Sequence, residues 1–109
     1  MPYTVNGTEL DTDDQGYLLE ADYSDEAVRV IAAAEQIELT DAHWSVVNYL
    51  REQYREHGHT PNFRNLLKGL AEVLPGVDSK TLYDLFPVGP AKQGAKVAGL
   101  PQPLGKGGY

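Results

Sequence analysis

The side chains that could do chemistry in this chain are few, and their spacing limits them. His57-Gly58-His59 sets two imidazoles one residue apart. A zinc site needs at least three protein ligands, and no third stands near them in sequence. The pair therefore reads as a solvated helix end. His43 precedes Trp44 and has no nucleophile beside it to activate. It is expected either buried and hydrogen-bonded or exposed near a helix cap. Asp13-Asp14 and Asp25-Glu26 are adjacent carboxylates of the type used in general acid–base catalysis. The first pair falls in a turn. The second falls in the first turn of a helix, where the dipole favours acids without any catalytic role. The glycines of the ending, LGKGGY, lack the Gly-x-x-x-x-Gly-Lys-Ser/Thr spacing of a phosphate loop. Cysteine is absent throughout. That excludes disulfides, thiolate metal sites, thiol nucleophiles and sulfur carried on a side chain. The expectation is a protein that is not an enzyme and holds neither metal nor cofactor.

Charge is divided along the chain. Residues 1–41 hold eleven acids and one base, Arg29, whereas residues 42–109 hold five acids and eight bases. The overall net charge is −7, which disfavours non-specific binding to nucleic acid. Beyond Asp84 there is no acid, only Lys92, Lys96 and Lys106. The rear of the chain can thus meet a surface that the acidic front would repel. No run reaches the ~18 apolar residues of a membrane span. The opening MPYTVNGTEL lacks a basic start followed by an apolar stretch. A cytoplasmic location, without membrane contact, is expected.

The elements that must position these residues follow from caps and periodicity. With 109 residues, one domain is expected. Asn6-Gly7 suits a two-residue type I′ turn, giving strands at about 2–5 and 8–11. Tyr17-Leu18-Leu19 can add a short extended piece. Ser24 caps a helix from about 25 to 36, in which Ala27, Val30, Ile31 and Ala34 recur at helical spacing. Thr40 caps a second helix that closes at His57-Gly58. Its apolar stripe is Trp44, Val47, Leu50 and Tyr54, with Val46 at the margin. Thr60-Pro61 reads as the opening of a third helix to about residue 74. Phe63, Leu66, Leu67, Leu70, Val73 and Leu74 would form its buried face. A short helix is expected near 79–85, with Leu82, Leu85 and Phe86 inward, and a last one from Pro90 to about Ala98, stopped by Gly99. The fold class is mainly α with an N-terminal β-hairpin: a small bundle of about five helices and a flexible C-terminal arm. The domain spans 1–99 and the arm 100–109. Its Pro and Gly content makes a packed conformation hard to specify. From Gly99 to Tyr109 it can reach at most about 36 Å.

Two helices joined by Gly58-His59-Thr60 also suggest a helix-turn-helix. In that alternative a DNA-binding regulator would use Arg51 and Arg55 on the first helix, and Asn62, Arg64, Asn65 and Lys68 on the second. An acidic domain with so few bases makes a thin phosphate footprint.

Three segments carry a closer resemblance: LTDAHWSVVNYLREQY (39–54), SKTLYDLFPVGPAKQ (79–93) and KVAGLPQP (96–103). Together with the VNG hairpin and DDQGYL (13–18), they resemble the DsrC/TusE family. These are gamma-subunit-like proteins of dissimilatory sulfite reductase and sulfur-relay proteins of tRNA thiolation. The resemblance covers nearly the whole chain. It implies a small helical bundle with an N-terminal hairpin and a mobile arm that inserts into a partner enzyme. It also implies that full sulfur carriers hold two arm cysteines, one just after GPAKQ and one next to last, and that the tRNA-thiolation branch keeps the second. Here Ala95 and Lys106 stand near those positions, and neither side chain forms a persulfide. Carriage would apply only if the cysteines had been replaced by design. The expectation is a protein that binds or regulates a partner from sulfur metabolism, a sulfite reductase or relay component, without carrying sulfur. The arm residues expected to meet it are Lys92, Lys96, Pro101, Pro103, Lys106 and Tyr109. The lysines would steer the arm toward an acidic channel.

Overall fold

The computed structural model describes residues 3–102. A hairpin opens the chain, with β1 (Tyr3–Val5) antiparallel to β2 (Thr8–Leu10) and Tyr3 opposite Leu10. Its turn residues Asn6 and Gly7 have φ of 51° and 81°, the double positive φ that a type I′ turn requires. The Asp13 carboxylate then accepts from the Gln15 and Tyr17 N–H groups at 2.9 and 3.0 Å. This folds the polar turn back so that Thr12 bridges Leu18.

Five helices follow: α1 (Asp25–Ala34), α2 (Asp41–His57), α3 (Phe63–Leu70), α4 (Ser79–Leu85) and α5 (Pro90–Val97). The expected fold class, mainly α with an N-terminal hairpin, is the observed one; the expected arm lies, beyond Gln102, outside the described residues. Ser24 Oγ caps α1 by accepting from the Ala27 N–H, and Thr40 caps α2. Gly58, at φ 76°, closes α2 in the left-handed region. The third helix starts later and stops earlier than Thr60-Pro61 suggests. Asn62 is its cap, accepting from the Asn65 N–H at 2.9 Å. The chain leaves the helix after Leu70 through turns, which leaves Val73 half exposed rather than buried. Val46 is fully buried, not marginal.

The arrangement centres on α5, which packs against α1, α2, α3 and α4. Its residues are mostly small, so neighbouring helices approach closely. A Cβ added at Gly94 would lie 3.0 Å from Leu50 Cδ1. Around it Val28, Ile31, Val47, Leu50, Leu66, Leu70, Leu82 and Phe86 are fully buried. Among the described residues no helix is long and apolar enough to cross a membrane.

Candidate functional site

The end of α5, after which the chain continues to Gln102 among the described residues, is heavily anchored. The Leu100 N–H donates to Ala95 O, and the Gly99 N–H to Lys96 O, each at 3.1 Å. This pairing is the Schellman closure of a helix, with its left-handed residue at Gly99, φ 80°. The loop before α1 holds the same turn from outside. The Asp22 N–H donates to Gly99 O at 2.8 Å, and a Cβ on residue 99 would lie only 2.4 Å from Asp22 O. Leu100 is itself fully buried, so the packed chain runs through that residue.

Arg51 of α2 completes the anchor. Its guanidinium donates from Nε to Ala98 O at 3.4 Å, from Nη2 to Ser24 O at 2.8 Å and from Nη1 to Asp25 Oδ1 at 3.1 Å. One buried side chain thus ties the start of α1 to the end of α5. Arg51, expected on an exposed helix face in the DNA-binding alternative, is instead buried, because the Ser24 and Ala98 carbonyls and the Asp25 carboxylate converge on it.

A second polar group lies along α5. Gln93 is buried, accepts from the Val88 N–H at 3.0 Å and donates to Glu35 Oε1 at 3.1 Å. The Lys96 ammonium sits 3.6 Å from Glu35 Oε2 and 5.1 Å from the centre of the Tyr17 ring. Its side chain is only 17% exposed. Lys96, expected among the arm residues, lies on α5 with Glu35 and Tyr17 beside its ammonium. Burial, and then the nearby Asp13 and Glu35 carboxylates, push the Tyr17 phenol up to about 12.

The remaining sequence candidates separate. Ala95, the position where the resemblance places a cysteine, is fully buried. Lys92 is exposed on α5, and Pro101 is half-buried at its exit. Pro103, Lys106 and Tyr109 lie outside the described residues. Arg55 is exposed, with its guanidinium 4.5 Å from the Tyr23 ring centre and 3.5 Å from Glu52. The Asn62 side-chain oxygen is occupied by capping, while Arg64, Asn65 and Lys68 are exposed. His57 and His59 have ring centres 6.1 Å apart. Among the described residues no group of three or more His, Asp or Glu side chains has metal-holding spacing. His43 is buried and fully bonded. Its Nε2 donates to Leu85 O at 2.8 Å, while Nδ1 accepts from the Thr40 N–H at 3.0 Å and meets Thr40 Oγ1 at 2.8 Å. One tautomer serves all of these contacts, and no reacting group lies among them.

Sequence reasoning passed over Gln93 and Glu35 as structural partners. The available signal was a helix of Ala, Gly and Val that still carries Gln and Lys. Where such a helix is enclosed, each polar side chain needs a partner.

The body, its hairpin and this exit from α5 define a known family. The profile of the family described as "DsrC like protein" matches residues 4–105. Among curated relatives, the "Sulfurtransferase TusE homolog" of Haemophilus influenzae is 50% identical over 103 residues, covering 91% of this chain and 94% of that protein. The "Sulfurtransferase TusE" of Salmonella typhimurium is 48% identical over 101 residues, covering 90% and 93%. Among solved structures, DsrC of Allochromatium vinosum superposes with a TM-score of 0.85 at 41% identity, over 96% of this chain and 98% of that one. The oxidised gamma-subunit of the dissimilatory sulfite reductase (DsrC) from Archaeoglobus fulgidus gives 0.88 at 33% identity, over the same shares. The chain belongs to the DsrC/TusE family.

Proposed function

We propose that this chain serves sulfur metabolism by binding or regulating a protein partner, a sulfite-reductase or sulfur-relay component, without carrying sulfur itself. The supporting observation is the complete lack of cysteine on a scaffold that matches DsrC-like proteins over residues 4–105. Relatives bear the name sulfurtransferase, and persulfide transfer needs a thiolate. This chain keeps the anchored root of the arm, through Arg51, Gly99 and Leu100, but has no thiol to present. Recognition is left, and catalysis is not part of the reading.

In this reading the body ends at Leu100 and the arm follows it. Lys106 and Tyr109 make the contacts, with Pro101 and Pro103 stiffening the start. The cytoplasm is the proposed location. The test is competition. Sulfur transfer from a cysteine-bearing TusE to its partner should slow as this chain is added. A Lys106→Ala/Tyr109→Ala variant should compete about tenfold less well, the loss expected for removing two contacts of modest size. Undiminished transfer at saturating amounts of this chain would refute the reading.

A further inference from the structure

Around Leu19 an open apolar floor coincides with unpaired charge. Leu18 is held by its bridge to Thr12, and the chain bends at Leu19, whose N–H donates to Asp11 O at 3.1 Å. Leu18 goes into the core, and Leu19 is left 58% exposed. Leu19 lines two hollows at once. One, of about 210 Å³, also has Tyr54, His59, Thr60 and Pro101 in its wall. The other, of about 340 Å³, is walled by Leu10 and Leu18 and by the acids Glu9, Asp11 and Glu20.

These three carboxylates are exposed, and none takes part in the ion pairs of the described residues. They belong to the half of the chain that carries eleven acids and one base. Thr60 Oγ1, at the first hollow, is buried with no hydrogen-bond partner among the described residues. That oxygen is closed to solvent, so it takes no part in the docking surface. The surface also continues into the root of the arm, where Gln102 donates to Gln15 at 3.1 Å.

We propose that the Leu19 surface is a second docking site, distinct from the arm contacts at Lys106 and Tyr109, for a basic protein segment in which Lys or Arg flanks an aliphatic side chain. The aliphatic group covers Leu19 between the hollows, and the cations face Glu9, Asp11 and Glu20. The proposal rests on the reading that the chain binds a protein partner, and it names the chemistry of that partner. A nucleic acid would be repelled by the same acids.

The probe is the acetylated, amidated hexapeptide Lys-Arg-Leu-Leu-Arg-Lys, titrated into the full-length, ¹⁵N-labelled chain. A control peptide carries Gln at each basic position. Amide shifts should concentrate at Leu10, Leu18, Leu19 and Gly58. Leu19→Ala should weaken binding about tenfold, the usual scale for truncating one buried aliphatic anchor. The triple Glu9→Gln/Asp11→Asn/Glu20→Gln variant should weaken it at least as much and remove its salt dependence, while Glu72→Gln changes nothing. Shifts spread over the whole acidic half, equal binding of the control peptide, or an inert Leu19→Ala would each overturn the proposal. So would shifts reproduced by self-association without peptide. The arm is tested apart: Lys106→Ala/Tyr109→Ala should leave peptide binding intact. If that variant still competes fully in sulfur transfer while Leu19→Ala does not, the arm reading fails and this site stands. The reverse result removes this site alone.

Discussion

Helices α1 and α5 end in the same hydrogen-bond motif but under different constraint. At α1 the Ile37 N–H donates to Ala32 O and the Gln36 N–H to Ala33 O. At α5 Leu100 and Gly99 repeat the pattern onto Ala95 and Lys96. The left-handed residue is Gln36 in the first, at φ 60°, and Gly99 in the second, at φ 80°. Gln36 is exposed, so its side chain adds only backbone strain. Gly99 is pressed against the Asp22 carbonyl, and the Arg51 guanidinium reaches the residue before it. The comparison separates a helix that merely stops from one whose stop directs the chain that follows.

The largest expected effect breaks the constrained end. Gly99→Ala should destabilise by about 3 kcal/mol or more in urea unfolding. Roughly 1–2 kcal/mol of that comes from the left-handed backbone, and the rest from the displaced Asp22 carbonyl. Next is Arg51→Met, which removes the guanidinium donors to the Ala98 and Ser24 carbonyls and to Asp25 and should cost about 2–3 kcal/mol by the same measurement. Arg51→Lys should recover little, since an ammonium cannot span three acceptors set in a fork.

An alkaline test reads the group beside Lys96. The Tyr17 phenol is raised from 10.0 to about 12 in the folded chain. The unfolded chain therefore releases its proton first. Stability contributed by the protonated phenol is intact below pH 10 and falls from there to about pH 12. Tyr17→Phe should flatten that limb of the urea-midpoint profile. The smallest effect sharpens the comparison from the other side. Gln36→Gly should stabilise by about 0.5–1 kcal/mol, because it relieves a positive φ where no contact is lost.

Much of the fold was legible because local chemistry set it. Asn6-Gly7, Ser24, Thr40 and Gly58 each mark a boundary by a mechanism that acts within a few residues, and each lies where expected. Asn62 displaced Thr60 as the cap of α3 because both residue types can cap, and the choice depends on where the preceding loop delivers the chain. Burial was harder to read. The apolar run from Phe63 to Leu74 pointed to α3 as a core helix, yet only Leu66 and Leu70 of that helix are fully buried. The centre belongs to α5, whose Pro90, Ala91, Gly94 and Ala95 lack bulk. Small residues give no hydrophobic stripe, but they let four other helices close in. The paired roles of Arg51 and Lys96 were hidden for a related reason. A cation looks alike in sequence whether it faces water or a carboxylate of the fold, and their partners Asp25 and Glu35 lie far along the chain.

The account depends on recognition without sulfur transfer, and intact-mass spectrometry tests it most directly. The native chain would be incubated with a persulfide donor and its partner, then recovered from the complex. The account predicts a retained complex and a polypeptide of unchanged mass. A polypeptide heavier by one or more sulfur atoms, covalently held after denaturation, would contradict it.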